Sequence, residues 1–285
     1  MKSVVITGGN SGLGFEVAKK IARDKDYQII LACRNLEKGE NAKNEIITET
    51  GNENVKVVKI DTSSLDSVRN AAVEICDITD EIYALVNNAG VSAMGNAGTT
   101  ADGFENVFET NYLGHFLLTM LLLPHIREEG RIYNISSDMH NPPGGVEWPG
   151  ADKVAHAPEG DRSVYSYSKL AMIYFAHELS KREDLAGKNI TVNAFNPGFM
   201  ADTNFSKGGG KGRELIVKTT MPDRYGKLST SSDALAKLVT DDEYKNITGE
   251  YFDRSTQTKR SSDLSYNDEN AKELFEKSLE YVGLK

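Results

Sequence analysis

Tyr165 and Lys169 stand four residues apart in the run Tyr165-Ser166-Tyr167-Ser168-Lys169. On a helix this spacing puts both side chains on one face. A phenol titrates at about 10 in water and is a weak proton donor at neutral pH; a neighbouring ammonium favours the phenolate and lowers that value. The pair therefore suits proton transfer to or from a carbonyl or alcohol oxygen. Spacing alone does not select it, because Tyr281 and Lys285 match as well. Position along the chain does: Tyr165 follows Ser136-Ser137, which ends a strand-like run.

The other chemistry-bearing segment lies at the start. Thr7-Gly8-Gly9-Asn10-Ser11-Gly12-Leu13-Gly14 joins an apolar run to a helical one. Glycines there allow a tight turn and close approach of backbone to a pyrophosphate, which the following helix N-terminus would hold with its free N–H groups. The next strand-like run ends Ala32-Cys33-Arg34-Asn35. A dinucleotide with free ribose hydroxyls wants a carboxylate at that place, and one with a 2′-phosphate wants a cation. Arg34 can pair with phosphate through two N–H groups, so NADP(H) is expected over NAD(H). Asp61-Thr62, after the third run, is expected at the adenine edge, and Asp61 also suits a turn ahead of Leu65. The fourth run ends in Asn87-Asn88-Ala89-Gly90.

The elements that must position these residues alternate. Strand-like runs are expected at 4–7, 28–32, 55–60, 83–86, 131–135 and 190–195, with a weaker one at 249–252. Helical stretches are expected at 12–23, 36–50, 65–75, 104–123 and 164–182. The strands are continuously apolar, as when both faces are covered. The chain should form a doubly wound parallel sheet of Rossmann type, with helices on both faces and ligands at the strand carboxyl ends. Two segments interrupt the alternation. An insert at 138–163 holds four of the seven prolines and the one tryptophan, Trp148. A lid at 199–228 contains Gly208-Gly209-Gly210-Lys211-Gly212, which lacks the hydroxyl residue and preceding strand of a P-loop. Loops of this length are commonly binding loops. The 285 residues are expected as a single dinucleotide-binding domain.

The net charge of −9 argues against a nucleic-acid face and against docking on anionic lipid. No run approaches the roughly 20 apolar residues of a membrane span, and no leader-like segment precedes the first strand, so a cytoplasmic protein is expected. Cys33 and Cys76 show no metal-ligand spacing; no metal is expected, and both should be buried thiols. His115 and His177 read as packed or surface helical residues, and His140 and His156 as solvated loop residues.

The ordered set of Thr7 to Gly14, Asp61, Asn87 to Gly90, Asn111, Ser137, Tyr165 with Lys169, and Pro197-Gly198 resembles the short-chain dehydrogenase/reductase family over essentially the whole chain. Ala32-Cys33-Arg34, the run from Asn111 to Leu118 and Val282-Gly283-Leu284 are similar to its retinol dehydrogenase and protochlorophyllide reductase branch. The resemblance implies that Tyr165 exchanges the proton and that Lys169 holds the nicotinamide ribose and tunes Tyr165. It also implies that Ser137 orients the substrate oxygen and that Asn111 helps place a relay water. It implies a cofactor lined by Gly8, Asn10, Ser11, Gly12, Leu13, Gly14, Arg34, Asp61, Thr62, Asn88, Ala89, Gly90, Tyr165, Lys169, Pro197, Met200 and Thr203. The expected function is NADP(H)-dependent hydride transfer on a small carbonyl or alcohol substrate. The alternatives are an NADPH-binding regulator without turnover and a light-dependent protochlorophyllide reductase-like enzyme. Against the last, Ala171 stands where those reductases carry a cysteine. Many relatives pair through the helix bearing the tyrosine; the insert ahead of Tyr165 is expected to cover that surface and favour a monomer.

Overall fold

A computed structural model describes residues 1–200, 215 and 217–285. Seven parallel strands form one sheet: β1 (Lys2–Thr7), β2 (Tyr27–Cys33), β3 (Val55–Lys59), β4 (Ile82–Asn87), β5 (Ile126–Ile135), β6 (Thr191–Asn196) and β7 (Tyr251–Asp253). Their order is β3-β2-β1-β4-β5-β6-β7. Succession reverses between β1 and β4, which opens a crevice at the strand carboxyl ends. The main helices are α1 (Gly12–Ile21), α2 (Leu36–Thr50), α3 (Leu65–Ile78), α4 (Gly114–Leu122), α5 (Ser163–Ser180), α6 (Leu228–Thr240) and α7 (Asp268–Tyr281).

Alternate strand residues serve opposite cores. Val5, Ile30, Ala32 and Val58 pack with α3, α4, α5 and α7. Val4, Ile6, Ile29 and Leu31 pack with α1, α2 and α6. Both faces of the central strands are dry, so β1, β2 and β4 carry no polar alternation, whereas β3 at the edge exposes Lys56 and Lys59. β5 begins at Ile126 rather than at 131. Its first turn is hidden in the sequence by Arg127, Glu128 and Glu129, and Glu129 sits at φ 59 beside a register shift in the β4–β5 pairing.

The helix expected over 104–123 is broken into pieces. Glu105 caps a short helix at Asn106–Phe108, accepting from Phe108 N at 2.7 Å. A π-helical turn follows at Glu109–Leu113, then α4, then a 3-10 turn with Pro124 at Leu123–His125. Thr110 Oγ1 donates to Asn106 O and the His115 ring bonds Asn111 O, so side chains compete for the carbonyls that a regular ladder would use. Apolar periodicity carries no trace of that competition.

Glu109 in this turn is fully buried, and its Oε2 accepts from Thr100 Oγ1. Burial, reinforced by Asp102, pushes its carboxyl up to about 8. In an unfolded chain the same group titrates at about 4.3. Between those values the folded chain holds a proton the unfolded chain has released, so stability falls as pH rises through that window. Glu109→Gln is therefore expected to raise the melting temperature by an amount that grows from about pH 5 to about pH 8. Thermal melts showing an equal shift at both ends would contradict this.

The insert is not wholly irregular. It contains a 3-10 turn at Asp138–His140 and a short helix at Ala151–Ala155. Trp148 stands edge-on to Tyr167 and Tyr174 of α5 and donates to Glu273 of α7 at 3.1 Å. The Tyr165 helix is thus covered jointly by the insert and by α7, and α5 is buried from Ser168 to His177. Of the two thiols, Cys33 is buried and Cys76 only half-buried. No described helix is long and apolar enough to cross a membrane.

Candidate active site

The β1–α1 turn is built by two glycine properties. Gly8 sits at φ 65, a conformation that side chains disfavour. At Gly14 an added Cβ would lie 2.5 Å from Asn88 Nδ2 and 2.8 Å from Gly8 O, so only glycine lets α1 pack against the turn. Ser11 starts α1 in an extended conformation and makes no side-chain cap bond, and no acidic residue occupies the first turn. The first-turn N–H groups therefore remain for an anion.

Thr7 knits this turn to the next strand. Its Oγ1 accepts from Asn88 N at 2.8 Å and Ala89 N at 2.9 Å. It lies 2.9 Å from His115 Nε2, while His115 Nδ1 lies 3.1 Å from Asn111 O. With both N–H groups already given to Thr7, the hydroxyl proton goes to Nε2 and the ring proton sits on Nδ1. Burial holds this ring neutral, its value pulled down to about 3.

A cleft of about 970 Å³ runs along the carboxyl edge of the sheet. Gly8, Asn10, Ser11, Gly12 and Leu13 line it from the turn, and Asn88, Ala89 and Gly90 from the end of β4. Arg34, Asp61 and Thr62 line one end, together with Lys38, which the sequence reading did not single out. The signal was there: Lys38 falls in the first turn of α2, just past Arg34. Arg34 is largely exposed, with Nη1 3.9 Å from Asp61 Oδ2. Asp61 also holds the turn before α3, accepting from Ser63 N and Oγ.

The other end carries Ser137, Tyr165 and Lys169, with Pro197 and Met200 beside them. Lys169 is buried; its Nζ donates to Ile135 O at 3.0 Å and lies 5.9 Å from the centre of the Tyr165 ring. Burial pulls its ammonium down to about 8. Ser136 Oγ donates to Lys169 O, fastening β5 to α5 and so Ser137 to Tyr165. Ser137 Oγ accepts from Met139 N at 3.2 Å.

Two expected residues do not line the cleft among the described residues. Gly14 acts through packing. Asn111 lies behind the wall: its Oδ1 accepts from Val91 N at 2.7 Å, and its Nδ2 donates to Val91 O and Ser168 Oγ. Thr203 lies outside the described residues, as does the Gly208–Gly212 run within the expected lid. Within the described part of that lid, Tyr225 bridges to Phe199, three residues past the end of β6. His140 is buried, not solvated, with Nδ1 2.7 Å from Ser137 O. His115 and His177 are buried packing residues. Tyr281 and Lys285 bind Asp152 and Glu276 and do not line the cleft.

Sequence reasoning also missed the ionic corner behind Ser137. Asp138 pairs with Arg254 at 2.8 Å and accepts from Asn196 at 2.9 Å, while Arg254 pairs with Asp253 at 2.7 Å. Asn196 Oδ1 in turn accepts from Gly198 N, so the ends of β5, β6 and β7 are tied together.

Residues 2–213 match the family described as short chain dehydrogenase. The chain belongs to the short-chain dehydrogenase family. It is 36% identical over 289 residues to human retinol dehydrogenase 13, covering 99% of this chain and 85% of that one, and falls in the retinol dehydrogenase-like branch. An uncharacterized protein from Mycobacterium paratuberculosis shares the fold with a TM-score of 0.72 at 27% identity, over 99% of this chain and 94% of the other. A short chain dehydrogenase from Burkholderia cenocepacia in complex with NADP shares it with a TM-score of 0.70 at 24% identity, over 89% and 96%. Members of this family are oxidoreductases that use a nicotinamide cofactor. The residues present fit such a group: the uncapped N-terminus of α1, the approach that Gly14 permits and the cations along the cleft all suit a polyanionic dinucleotide.

Proposed function

We propose that this chain transfers a hydride reversibly between NADP(H) and a carbonyl/alcohol pair. One observation carries the reading: Tyr165, Lys169 and Ser137 converge at one end of a cleft whose other end holds Arg34 and Lys38. The bound nicotinamide would supply or accept the hydride. Tyr165 gives its phenolic proton to the substrate oxygen in reduction and takes it back in oxidation. Lys169, charged and buried beside the ring, favours the phenolate form and offers N–H groups to the cofactor ribose. Ser137 donates to the substrate oxygen and orients it. Asn111 is a positioning residue: its side chain holds the Val91 backbone and Ser168, one residue before Lys169. That a relative is named a retinol dehydrogenase supports an alcohol or aldehyde as the substrate class.

The reading is tested by following NADPH consumption with a panel of aldehydes and ketones; no turnover on any of them would sink it. Preference for the 2′-phosphate is assigned to Arg34, helped by Lys38. Arg34→Ala is expected to raise KM for NADPH on the order of tenfold while changing KM for NADH little, since Arg–phosphate contacts are charge-assisted. Equal loss with both cofactors would remove Arg34 from that role.

A further inference from the structure

The walls of the cleft carry Arg34, Lys38, Arg162, Lys169 and Arg224 against Asp61 and Asp138 only, among the described residues. The chain as a whole is acidic, at −9, so this cationic surplus is local. A phosphate-rich cofactor accounts for Arg34 and Lys38 at the adenosine end, and Lys169 belongs to the proton machinery. Arg162 and Arg224 are left over, both at the chemistry end.

Neither pairs with a carboxylate among the described residues. Arg162 immediately precedes α5, three residues before Tyr165, and its side chain makes no cap bond there and no ion pair among the described residues. Arg224 donates only to backbone carbonyls, Asp138 O at 3.4 Å and Asn141 O at 3.0 Å, which orient its guanidinium without neutralising it. Two acids stand close in the chain or the fold and each has another partner: Asp138 is taken by Arg254 at 2.8 Å, and Asp161 accepts from Ser163 N at 2.8 Å. The same cleft has an apolar lining as well, with Met94, Met139, Phe199, Val217 and Met221. Guanidinium groups in such a setting recognise planar anions through paired N–H groups.

We infer that the substrate is a carbonyl or alcohol compound with an apolar body that also carries a carboxylate or a similar small anion, held by Arg162 and Arg224. The inference rests on the proposed hydride-transfer reading, and its test separates the two.

The probes are 4-formylbenzoate and its neutral methyl ester, reduced with NADPH. The acid is expected to exceed the ester in kcat/KM by about tenfold or more, as for a charge-assisted pair. Added salt should narrow the gap. Arg162→Gln, and separately Arg224→Gln, should bring the ratio of acid to ester towards one. Calorimetry of benzoate and methyl benzoate with the wild-type protein and NADP+ gives a reading free of turnover. Benzoate should bind measurably more tightly, and that difference should shrink in Arg162→Gln. Aldehyde reduction without preference for the acid, or a preference that both variants retain, overturns the inference and leaves hydride transfer standing. Benzoate binding lost in Arg162→Gln, with neither aldehyde reduced, supports the anion site and counts against these aldehydes as substrates of the proposed reaction. Absence of both binding and turnover overturns both.

Discussion

Tyr165→Phe should lower turnover by roughly 10²–10⁴-fold, the range that a positioned general acid contributes, with NADPH binding retained. The substitution deletes one oxygen and keeps the ring. Lys169 Nζ, 5.9 Å from the ring centre, retains its attraction to the aromatic face, and its bond to Ile135 O does not involve Tyr165. The helix is held from behind by α7 and Trp148, so the fold should be indifferent to the change. Loss of rate would then report chemistry alone. Activity within a few-fold of wild type, measured at saturating aldehyde and NADPH, would take Tyr165 out of the mechanism.

Lys169→Met should cost roughly 10²–10³-fold in kcat/KM and alter the pH profile. Burial sets the Lys169 ammonium at about 8, so the charge is present below that value and is lost as pH rises through it. Carbonyl reduction that depends on this charge declines on the alkaline side of about pH 8, and the limb belongs to the Tyr165–Lys169 pair rather than to one residue. In Lys169→Met that limb should move to higher pH, because the phenol loses the neighbouring charge that favours its ionisation. If it persists unchanged, another group controls the profile.

The sheet was legible because a strand covered on both faces leaves an unbroken apolar run, as in β1, β2 and β4 at its centre. The turn from Thr7 to Gly14 was legible because its glycines answer local backbone demands. The fracture of the 104–123 helix was not, since it depends on side chains of Thr110 and His115 bidding for main-chain carbonyls. The ionic corner was equally hidden: Asp138 and Arg254 are 116 residues apart, and nothing local marks either as the other's partner. His140 read as solvated because a loop sequence does not reveal that Tyr251 packs over its ring. Arg162 and Arg224 gain meaning only from what the cleft sets beside them, which no spacing rule records.

The bonding of His115 has a consequence for motion. Its ring proton lies on Nδ1, closed between the end of β1 and the carbonyl of Asn111, in a side chain with no exposed surface. Solvent reaches that proton only when the ends of β1 and β4 part from α4. Its exchange with deuterium is therefore a clock for the opening of the crevice, set in the wall and untouched by the chemistry at Tyr165. Slower exchange in the presence of a dinucleotide would mean that the cofactor acts as a clasp on the two strand ends.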